Sequence, residues 1–265
     1  MPLYTDQMQR KVEVPDRPRR IISLVPSQTE LLYSFGLEQE VVGLTKFCVH
    51  PAHLRKEKQV IGGTKNFHFD RIRALRPDLI IGNKEENYQE GIEELEKEFP
   101  VWMSDIFTLE DALQMVTQLG EITGRAERGA ALAQEVNDKF NNLQAISPLS
   151  CLYFIWRKPY MVAGGNTFID EMLQRCGFAN VLKEQERYPE LSAEDIRQLN
   201  PRLILLSSEP YPFGEKHVQE FRDLCPGAVI MTVDGEMFSW YGSRLLKAVP
   251  YFKQLQQEIS SALHL

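Results

Sequence analysis

One pattern in this chain occurs twice, at an interval of 124 positions (from position 70 to position 194) that is close to half of its 265 residues. In each copy an acidic residue begins a short amphipathic segment, a proline ends it, and an apolar run and a glutamate-bearing loop follow. The pairs are Asp70/Glu194, Ile72/Ile196, Leu75/Leu199, Pro77/Pro201, Leu79/Leu203, Ile80/Ile204 and Glu85/Glu209. Because repetition at a fixed interval indicates repeated architecture, the sequence predicts two similar half-domains, each with a helix, a strand and a loop in this order.

Short apolar runs alternate with segments of helical pattern along most of the chain. Arg20–Val25 and Val41–Leu44 are predicted strands, and the apolar run Asp78–Ile81 follows a predicted helix over Phe69–Leu75. Strands that alternate with helices favour parallel pairing through helical crossovers, which is typical of the α/β class. The predicted fold class is therefore α/β, with two similar lobes, parallel sheets and a ligand cleft between the lobes.

The segment Ala126–Ala145 has the pattern of a single long helix, because its apolar residues recur at helical intervals. About twenty helical residues span about 30 Å, which is long enough to connect two lobes as one strut. The chain is therefore predicted to divide into an N-terminal α/β lobe over 1–125, a backbone helix over 126–147 and a C-terminal α/β lobe over 148–265.

Charge and hydropathy exclude two classes of function. The formal net charge of −7 argues against nucleic acid as a partner, since binding to phosphates needs a clustered Lys/Arg surface. No apolar run approaches the roughly 18 residues of a membrane-spanning helix.

The four cysteines show no CxxC spacing, and His50 and His53 have no third ligand nearby in the sequence, so no metal site is predicted.

The N-terminal stretch MPLYTDQMQRKVEVPDRPRR contains no apolar segment of the kind that forms the core of a signal peptide. A lipoprotein leader would place a cysteine just after such a segment, and the first cysteine is Cys48. We therefore expect a cytoplasmic protein. The alternative is a periplasmic protein whose leader was removed.

Aromatic and charged residues are concentrated in the loops that follow the predicted strands, where ligands of open α/β sheets bind. Aromatic side chains offer a large flat contact area with few rotatable bonds, which suits a large planar or macrocyclic ligand. Arginines at such positions can form paired hydrogen bonds to carboxylates or phosphates. The candidate ligand-binding residues from this argument are Trp156, Arg157, Arg187, Glu209, Trp240, Tyr241 and Arg244.

Four stretches give the chain a resemblance to a known family. RIISLVPSQTELLYSFGL, VVGLTKF, QVIGG and FDRIRALRPDLIIGN resemble the periplasmic binding proteins with a rigid helical backbone, which carry vitamin B12, haem and ferric siderophores to membrane importers. The resemblance extends from Arg20 to the C-terminus, with Ala126–Ala145 as the backbone helix, and is strongest to the members that bind vitamin B12.

This resemblance implies a non-enzymatic receptor without an intrinsic cofactor, whose ligand is cobalamin, haem or a ferric siderophore. It adds Phe47 and Tyr188 to the candidate ligand-binding residues, since aromatics that face the corrin in the family match these positions. Trp240 stands where those relatives have an arginine. The resemblance also implies that Asp70 and Glu194, one acid on each lobe, dock with an ABC-transporter permease, and we expect the receptor to be monomeric.

Two further hypotheses remain open from the sequence. One keeps the fold without transport and makes the protein a cytoplasmic sensor or carrier of a corrinoid or similar cofactor. The other is an enzyme that acts on a small anion, with Glu85, Glu209 or His217 in acid–base roles. The chain has no GxSxG, HExxH or GxGxxG motif and no pairing of a nucleophile with a base, which favours the receptor.

Overall fold

The computed structural model of the protein describes residues 1–144 and 148–263. The chain forms two compact units. Unit 1 consists of Met1–Ile106, Glu110–Asn137 and Tyr241–Arg244, and unit 2 of Phe107–Leu109, Asp138–Trp240 and Leu245–Leu265. The sequence-based division assigned Tyr241–Arg244 to the C-terminal part, whereas in the structure these four residues belong to unit 1.

Strands and helices alternate along the first part of the chain. The strands are β1 (Leu3–Thr5), β2 (Lys11–Glu13), β3 (Ile21–Ser23), β4 (Val41–Leu44), β5 (Gln59–Val60), β6 (Gly62–Gly63), β7 (Asn66–Phe67), β8 (Leu79–Asn83) and β9 (Val101–Ser104). The helices are α1 (Pro26–Ser34), α2 (Leu54–Glu57), α3 (Phe69–Leu75), α4 (Gln89–Glu96), α5 (Leu109–Ile122) and α6 (Ala126–Asn141).

Unit 1 is built on a sheet with the strand order β5-β4-β3-β8-β9, in which every neighbouring pair is parallel. The strands β3, β8 and β9 are buried along their whole length, which is usual for parallel sheets covered on both faces. The carboxyl ends of these strands therefore lie along one edge of the sheet, and the loops after them project from that edge.

The second part of the chain again alternates strands and helices. Its strands are β10 (Leu149–Trp156), β11 (Tyr160–Val162), β12 (Phe178–Asn180), β13 (Glu190–Leu191), β14 (Leu203–Ser207) and β15 (Val229–Val233). Its helices are α7 (Phe168–Arg175), α8 (Ala193–Leu199), α9 (Glu215–Leu224), α10 (Glu236–Ser239) and α11 (Leu245–Leu263).

Unit 2 has its own sheet, with the strand order β13-β11-β10-β14-β15 and with β12 also paired to β10. The pairs β10/β12, β10/β14 and β14/β15 are parallel, while β11 and β13 add an antiparallel extension. The predicted α/β class with parallel sheets is therefore confirmed.

The two copies of the sequence repeat fold alike. Helices α3 and α8 and strands β8 and β14 begin and end at positions 124 residues apart, and the two strands lie in separate sheets. Each helix ends in a residue of left-handed conformation, Arg76 with φ 45° and Asn200 with φ 39°. The prediction of equivalent helix–strand units in two separate sheets is confirmed. The shared left-handed cap is a further similarity that was not predicted.

Proline lies at the start of one helix and inside another. Helix α1 begins at Pro26, because proline is well suited to the first helical position. The helix predicted over Ala126–Ala145 begins at Ala126 and ends at Asn141, and Ala145 lies outside the described residues. The C-terminal helix continues through Pro250 without interruption, since burial of its apolar face offsets the one lost backbone hydrogen bond.

Helices α5 and α6 approach each other closely at two glycines of unit 1. A Cβ atom on Gly129 would lie 2.9 Å from the carbonyl oxygen of Val116 and 3.0 Å from the Cα of Gly120. Only glycine therefore permits this approach, which fixes the start of α6 against α5. Among the described residues, no helix is both long enough and apolar enough to cross a membrane.

Candidate ligand-binding site

In unit 1, the loop after β4 presents an exposed aromatic ring. Phe47 is 49% exposed, and the ammonium group of Lys46 lies 5.0 Å from its ring centroid. The next residue anchors the loop, because the buried Cys48 thiol lies 3.1 Å from the Thr29 hydroxyl and 3.3 Å from the Thr45 hydroxyl. Burial raises the pKa of this thiol above its ordinary value. Cys48 therefore holds the loop in place while Phe47 stays accessible.

The loop after β8 is shaped by two buried asparagines. The side-chain oxygen of Asn83 accepts hydrogen bonds from the backbone N–H groups of Glu85 and Glu86, at 2.9 and 3.1 Å. The Asn87 side-chain oxygen accepts from the Asn83 N–H at 2.9 Å, and its amide donates to the carbonyl oxygen of Thr64. These contacts give a fixed turn at the sheet edge. From the sequence, only the glutamates of this loop were given a role, although asparagine after a strand is a recognised turn signal.

Arg244, a predicted ligand-binding residue, forms a buried ion pair within unit 1. Its Nε and Nη2 atoms each lie 2.8 Å from a carboxylate oxygen of Glu30 on helix α1, and the two side chains are 5% and 13% exposed. A ligand carboxylate would have to compete with Glu30 for this guanidinium. Tyr241, in the same segment, is also buried, and burial and the charge of Glu86 raise the pKa of its hydroxyl.

In unit 2, Trp156 at the end of β10 is the exposed member of the three tryptophans, with 39% of its surface accessible. The Tyr211 ring stands edge-on to it, with 5.5 Å between the ring centroids. Beside it, Arg157 donates from Nε to a Glu220 oxygen at 2.8 Å, and this bond raises the pKa of the guanidinium. Burial alone would raise the pKa of Glu220, but the hydrogen bonds from Tyr160 and Arg157 lower it.

Glu209 and Trp240, both predicted to bind ligand, bind each other. The indole Nε1 of Trp240 and the hydroxyl of Ser239 each donate to Glu209 Oε1 at 2.9 Å. Burial raises the pKa of Glu209, assisted by the charges of Glu236 and Asp234 and opposed by these two hydrogen bonds. Trp240 is only 8% exposed, so most of its ring is buried. Ser239 and Trp240 lie 30 and 31 residues after Glu209, and no sequence pattern indicated that they bind this carboxylate.

The last two candidates of unit 2 are neighbours in the loop after β12. The guanidinium of Arg187 lies 5.7 Å from the ring centroid of Tyr188 and 5.9 Å from that of Phe107. The predicted ligand-binding residues are divided between the two units. Unit 1 contains Phe47, Tyr241 and Arg244, and unit 2 contains Trp156, Arg157, Arg187, Tyr188, Glu209 and Trp240. A shared cleft stays a prediction.

The two predicted docking acids occupy equivalent surface positions. Asp70 and Glu194 each lie in the first turn of a repeated helix, α3 or α8, and both side chains are exposed. Each acid has an arginine three residues later. Asp70 Oδ1 lies 3.6 Å from Arg73 Nη1, and Glu194 Oε2 lies 3.4 Å from Arg197 Nη1. Acids are favoured in the first turn of any helix by the macrodipole. The repeat therefore extends to an exposed Asp/Glu–Arg pair in each unit.

The structure brings together one set of potential metal ligands that sequence analysis missed. His53, Glu38 and Glu57 place their ligand atoms within 4.8 Å of one another in unit 1, with 3.4 Å between His53 Nε2 and Glu38 Oε1. The i, i+4 spacing of His53 and Glu57 was the available signal. All three side chains are exposed, and exposed acidic groups often approach this closely without an ion, so their proximity does not by itself define a metal site.

A model of the periplasmic binding protein family matches residues 21–223 of this chain. The match covers more than half of the 265 residues, so the chain belongs to the periplasmic binding protein family. The resemblance noted from the sequence is thereby confirmed.

Individual relatives agree with this assignment. The vitamin B12-binding protein of Pectobacterium carotovorum subsp. carotovorum is 26% identical over 239 residues, which cover 87% of this chain and 86% of that protein. The structure of the periplasmic vitamin B12 binding protein BtuF of Vibrio cholerae matches with a TM-score of 0.80 at 22% identity, over 93% of this chain and 99% of that one. The periplasmic heme-binding protein RhuT from Roseiflexus sp. RS-1 matches with a TM-score of 0.78 at 22% identity, over 92% and 98%. At such identities these two structures establish the shared fold.

Proposed function

We propose that this protein is the substrate-binding receptor of an ABC-type importer, and that its ligand is a metal chelate of the cobalamin, haem or ferric siderophore kind. The observation that carries this proposal is the match to the periplasmic binding protein family over residues 21–223. Two relatives of this chain are vitamin B12-binding proteins and one binds heme. The protein binds its ligand without transforming it.

The exposed rings at the strand ends support a large, flat ligand. Phe47 and Trp156 expose far more of their surface than Trp240 and Tyr241, which are mostly packed. A corrin, a porphyrin or a siderophore offers an extended face to such rings. Burial of a large apolar side chain contributes about 1.5–3 kcal/mol. We therefore assign the main ligand contacts to Phe47 and Trp156, and further contacts to Arg157, Arg187 and Tyr188.

Titration of the full chain with cyanocobalamin, haemin and a ferric hydroxamate siderophore, followed by tryptophan quenching, tests this proposal. We expect one of the three to bind with a Kd well below 100 μM and expect Phe47→Ala and Trp156→Ala each to weaken binding about 10- to 100-fold. Phe69→Ala is the matched control, because Phe69 is a partly exposed ring in α3 and outside the candidate set. Failure of all three ligands to bind would contradict the receptor function.

The same proposal assigns Asp70 and Glu194 to contact with arginines of a permease. This assignment is supported by the equivalent positions of the two acids in the repeated helices α3 and α8. Asp70→Lys and Glu194→Lys should abolish importer-dependent uptake while leaving ligand affinity unchanged. Glu127→Lys is the control, since Glu127 is likewise an exposed acid in the first turn of a helix. Uptake that survives both reversals would rule out this docking mode.

The receptor is proposed to act as a monomer on the outer side of the cytoplasmic membrane. Membership of the periplasmic binding protein family favours this location over the cytoplasm, which was the first expectation from the sequence. Fractionation of host cells with an antibody against the protein tests the location. Recovery of the protein with cytoplasmic markers would instead favour a corrinoid sensor or carrier.

A further inference from the structure

His217 is a buried side chain of unit 2, only 5% exposed, in the first turn of α9. Its Nδ1 accepts a hydrogen bond from the backbone N–H of Gly214 at 3.0 Å, and its Nε2 lies 3.2 Å from the hydroxyl oxygen of Tyr211. A ring nitrogen that accepts an N–H bond carries no proton, so the neutral imidazole holds its proton on Nε2. Nε2–H therefore donates to the Tyr211 hydroxyl.

Tyr211 connects this imidazole to the exposed tryptophan of unit 2. Its backbone N–H donates to the carbonyl oxygen of Ile155 at 3.3 Å, which fixes its main chain beside the end of β10. Its ring meets the Trp156 indole edge-on, with 5.5 Å between centroids and 70° between planes. The Tyr211 ring also contacts that of Phe213, with centroids 4.7 Å apart. The orientation of the Trp156 ring thus depends on where the Tyr211 ring is held.

We propose that His217 is a positioning residue for the ligand site: through its Nε2–H bond to Tyr211 it holds the Trp156 indole ready for a flat ligand. This inference rests on the proposed function, because it takes Trp156 as a ligand contact. A ring that is already held loses less conformational freedom when the ligand binds, so affinity increases without a new contact. His217 itself is buried and has no role in acid–base chemistry under this proposal.

The competing explanation is that His217 only caps helix α9, and two substitutions separate the roles. His217→Asn keeps an acceptor for the Gly214 N–H, because its amide oxygen is as many bonds from Cβ as Nδ1 is, but it loses the donor to Tyr211. Tyr211→Phe removes the hydroxyl and keeps the ring. Tyr251→Phe is the control, since it removes another tyrosine hydroxyl contact of unit 2, the one with the Asp234 N–H.

Two quantities are measured. The first is the mobility of Trp156, from the fluorescence anisotropy decay of the tryptophan population that acrylamide quenches. The second is the affinity for the chelate that the unmodified protein binds. Trp102 is fully buried and Trp240 nearly so, which makes Trp156 the quenchable population. We expect His217→Asn and Tyr211→Phe each to increase this mobility and to weaken binding about 3- to 10-fold, the effect of one neutral hydrogen bond. The double variant should be no worse than either single variant, and Tyr251→Phe should change neither readout.

Unchanged Trp156 mobility in His217→Asn, or effects that add in the double variant, would overturn the proposal and leave His217 as a cap. The mobility measurement needs no ligand, so it stands apart from the proposed function. If mobility rises as expected while cyanocobalamin, haemin and the ferric hydroxamate all fail to bind the unmodified protein, the receptor function fails and the ligand role of His217 with it. If mobility rises and Trp156→Ala leaves chelate affinity unchanged, the ligand roles of Trp156 and His217 are both overturned, while the receptor function stands.

Discussion

Removal of Arg244 from its buried ion pair with Glu30 should destabilise unit 1 substantially. Two hydrogen bonds of 2.8 Å join the groups, and the side chains are 5% and 13% exposed. Replacing Arg244 by methionine keeps most of the alkyl chain and leaves the Glu30 carboxylate buried without its guanidinium. Breaking a buried pair in this way costs roughly 3–5 kcal/mol, and the slight exposure of Glu30 argues for the lower end, about 3 kcal/mol.

Urea unfolding monitored by circular dichroism measures this loss. Replacing both residues, in Arg244→Met/Glu30→Met, removes the unpaired charge, so the double variant should recover about 2 kcal/mol relative to the sum of the two single effects. Arg202→Met is the control, because Arg202 is exposed. If Arg244 acts instead mainly on a ligand anion, Arg244→Met will lower affinity and cost less than about 1 kcal/mol of stability. Such a result, or additive single effects, would show that Arg244 does not stabilise the buried Glu30 carboxylate.

Three further predictions concern backbone and carboxyl groups. Arg76→Gly should stabilise the protein by about 1 kcal/mol, because Arg76 is held in the left-handed conformation. Asn200→Gly should stabilise it by less, since asparagine tolerates this conformation better than arginine does. Equal effects of the two substitutions in urea unfolding would contradict this. Gly129→Ala should destabilise the protein, because the added Cβ would meet Val116 and Gly120. In a helix without such contacts, alanine would instead be favoured over glycine by about 1 kcal/mol. A gain in stability would show that α5 and α6 can separate at no cost. Burial raises the pKa of Glu209, so its carboxyl binds more protons in the folded state than in the unfolded state, and stability must fall as pH rises from the ordinary glutamate pKa through the raised one. Urea unfolding from pH 4 to 7 should therefore show wild-type protein losing stability relative to Glu209→Gln, and parallel pH profiles would exclude the shift.

The repeated helix–strand units were predictable because each is specified locally. Asp70 favours the start of α3, Pro77 cannot continue the helix, and the apolar run from Leu79 enters the sheet; the same three features recur around Glu194. Residues a few positions apart are enough to set such an element. The structure accordingly reproduces the predicted helix Phe69–Leu75, while the strand expected from the run Asp78–Ile81 lies at Leu79–Asn83.

The contacts of the candidate site were less predictable because they join distant positions. Arg244 pairs with Glu30 across 214 positions, and Trp240 reaches Glu209 across 31. A sequence pattern marks an arginine or a tryptophan as capable of binding and gives no sign that a residue of the same chain already occupies it. For the same reason His217 was considered as an acid–base group, whereas both of its nitrogens are engaged in holding the loop from Tyr211 to Gly214.

The receptor function can be tested by the visible spectrum and metal content of the protein after it has been exposed to an extract of its own host and repurified. Corrins, haems and ferric siderophores all absorb visible light and carry cobalt or iron. A receptor for such a chelate should become coloured, with close to one equivalent of cobalt or iron, and Trp156→Ala should clearly lose this colour. A protein that stays colourless and gains neither metal is not a receptor for these chelates.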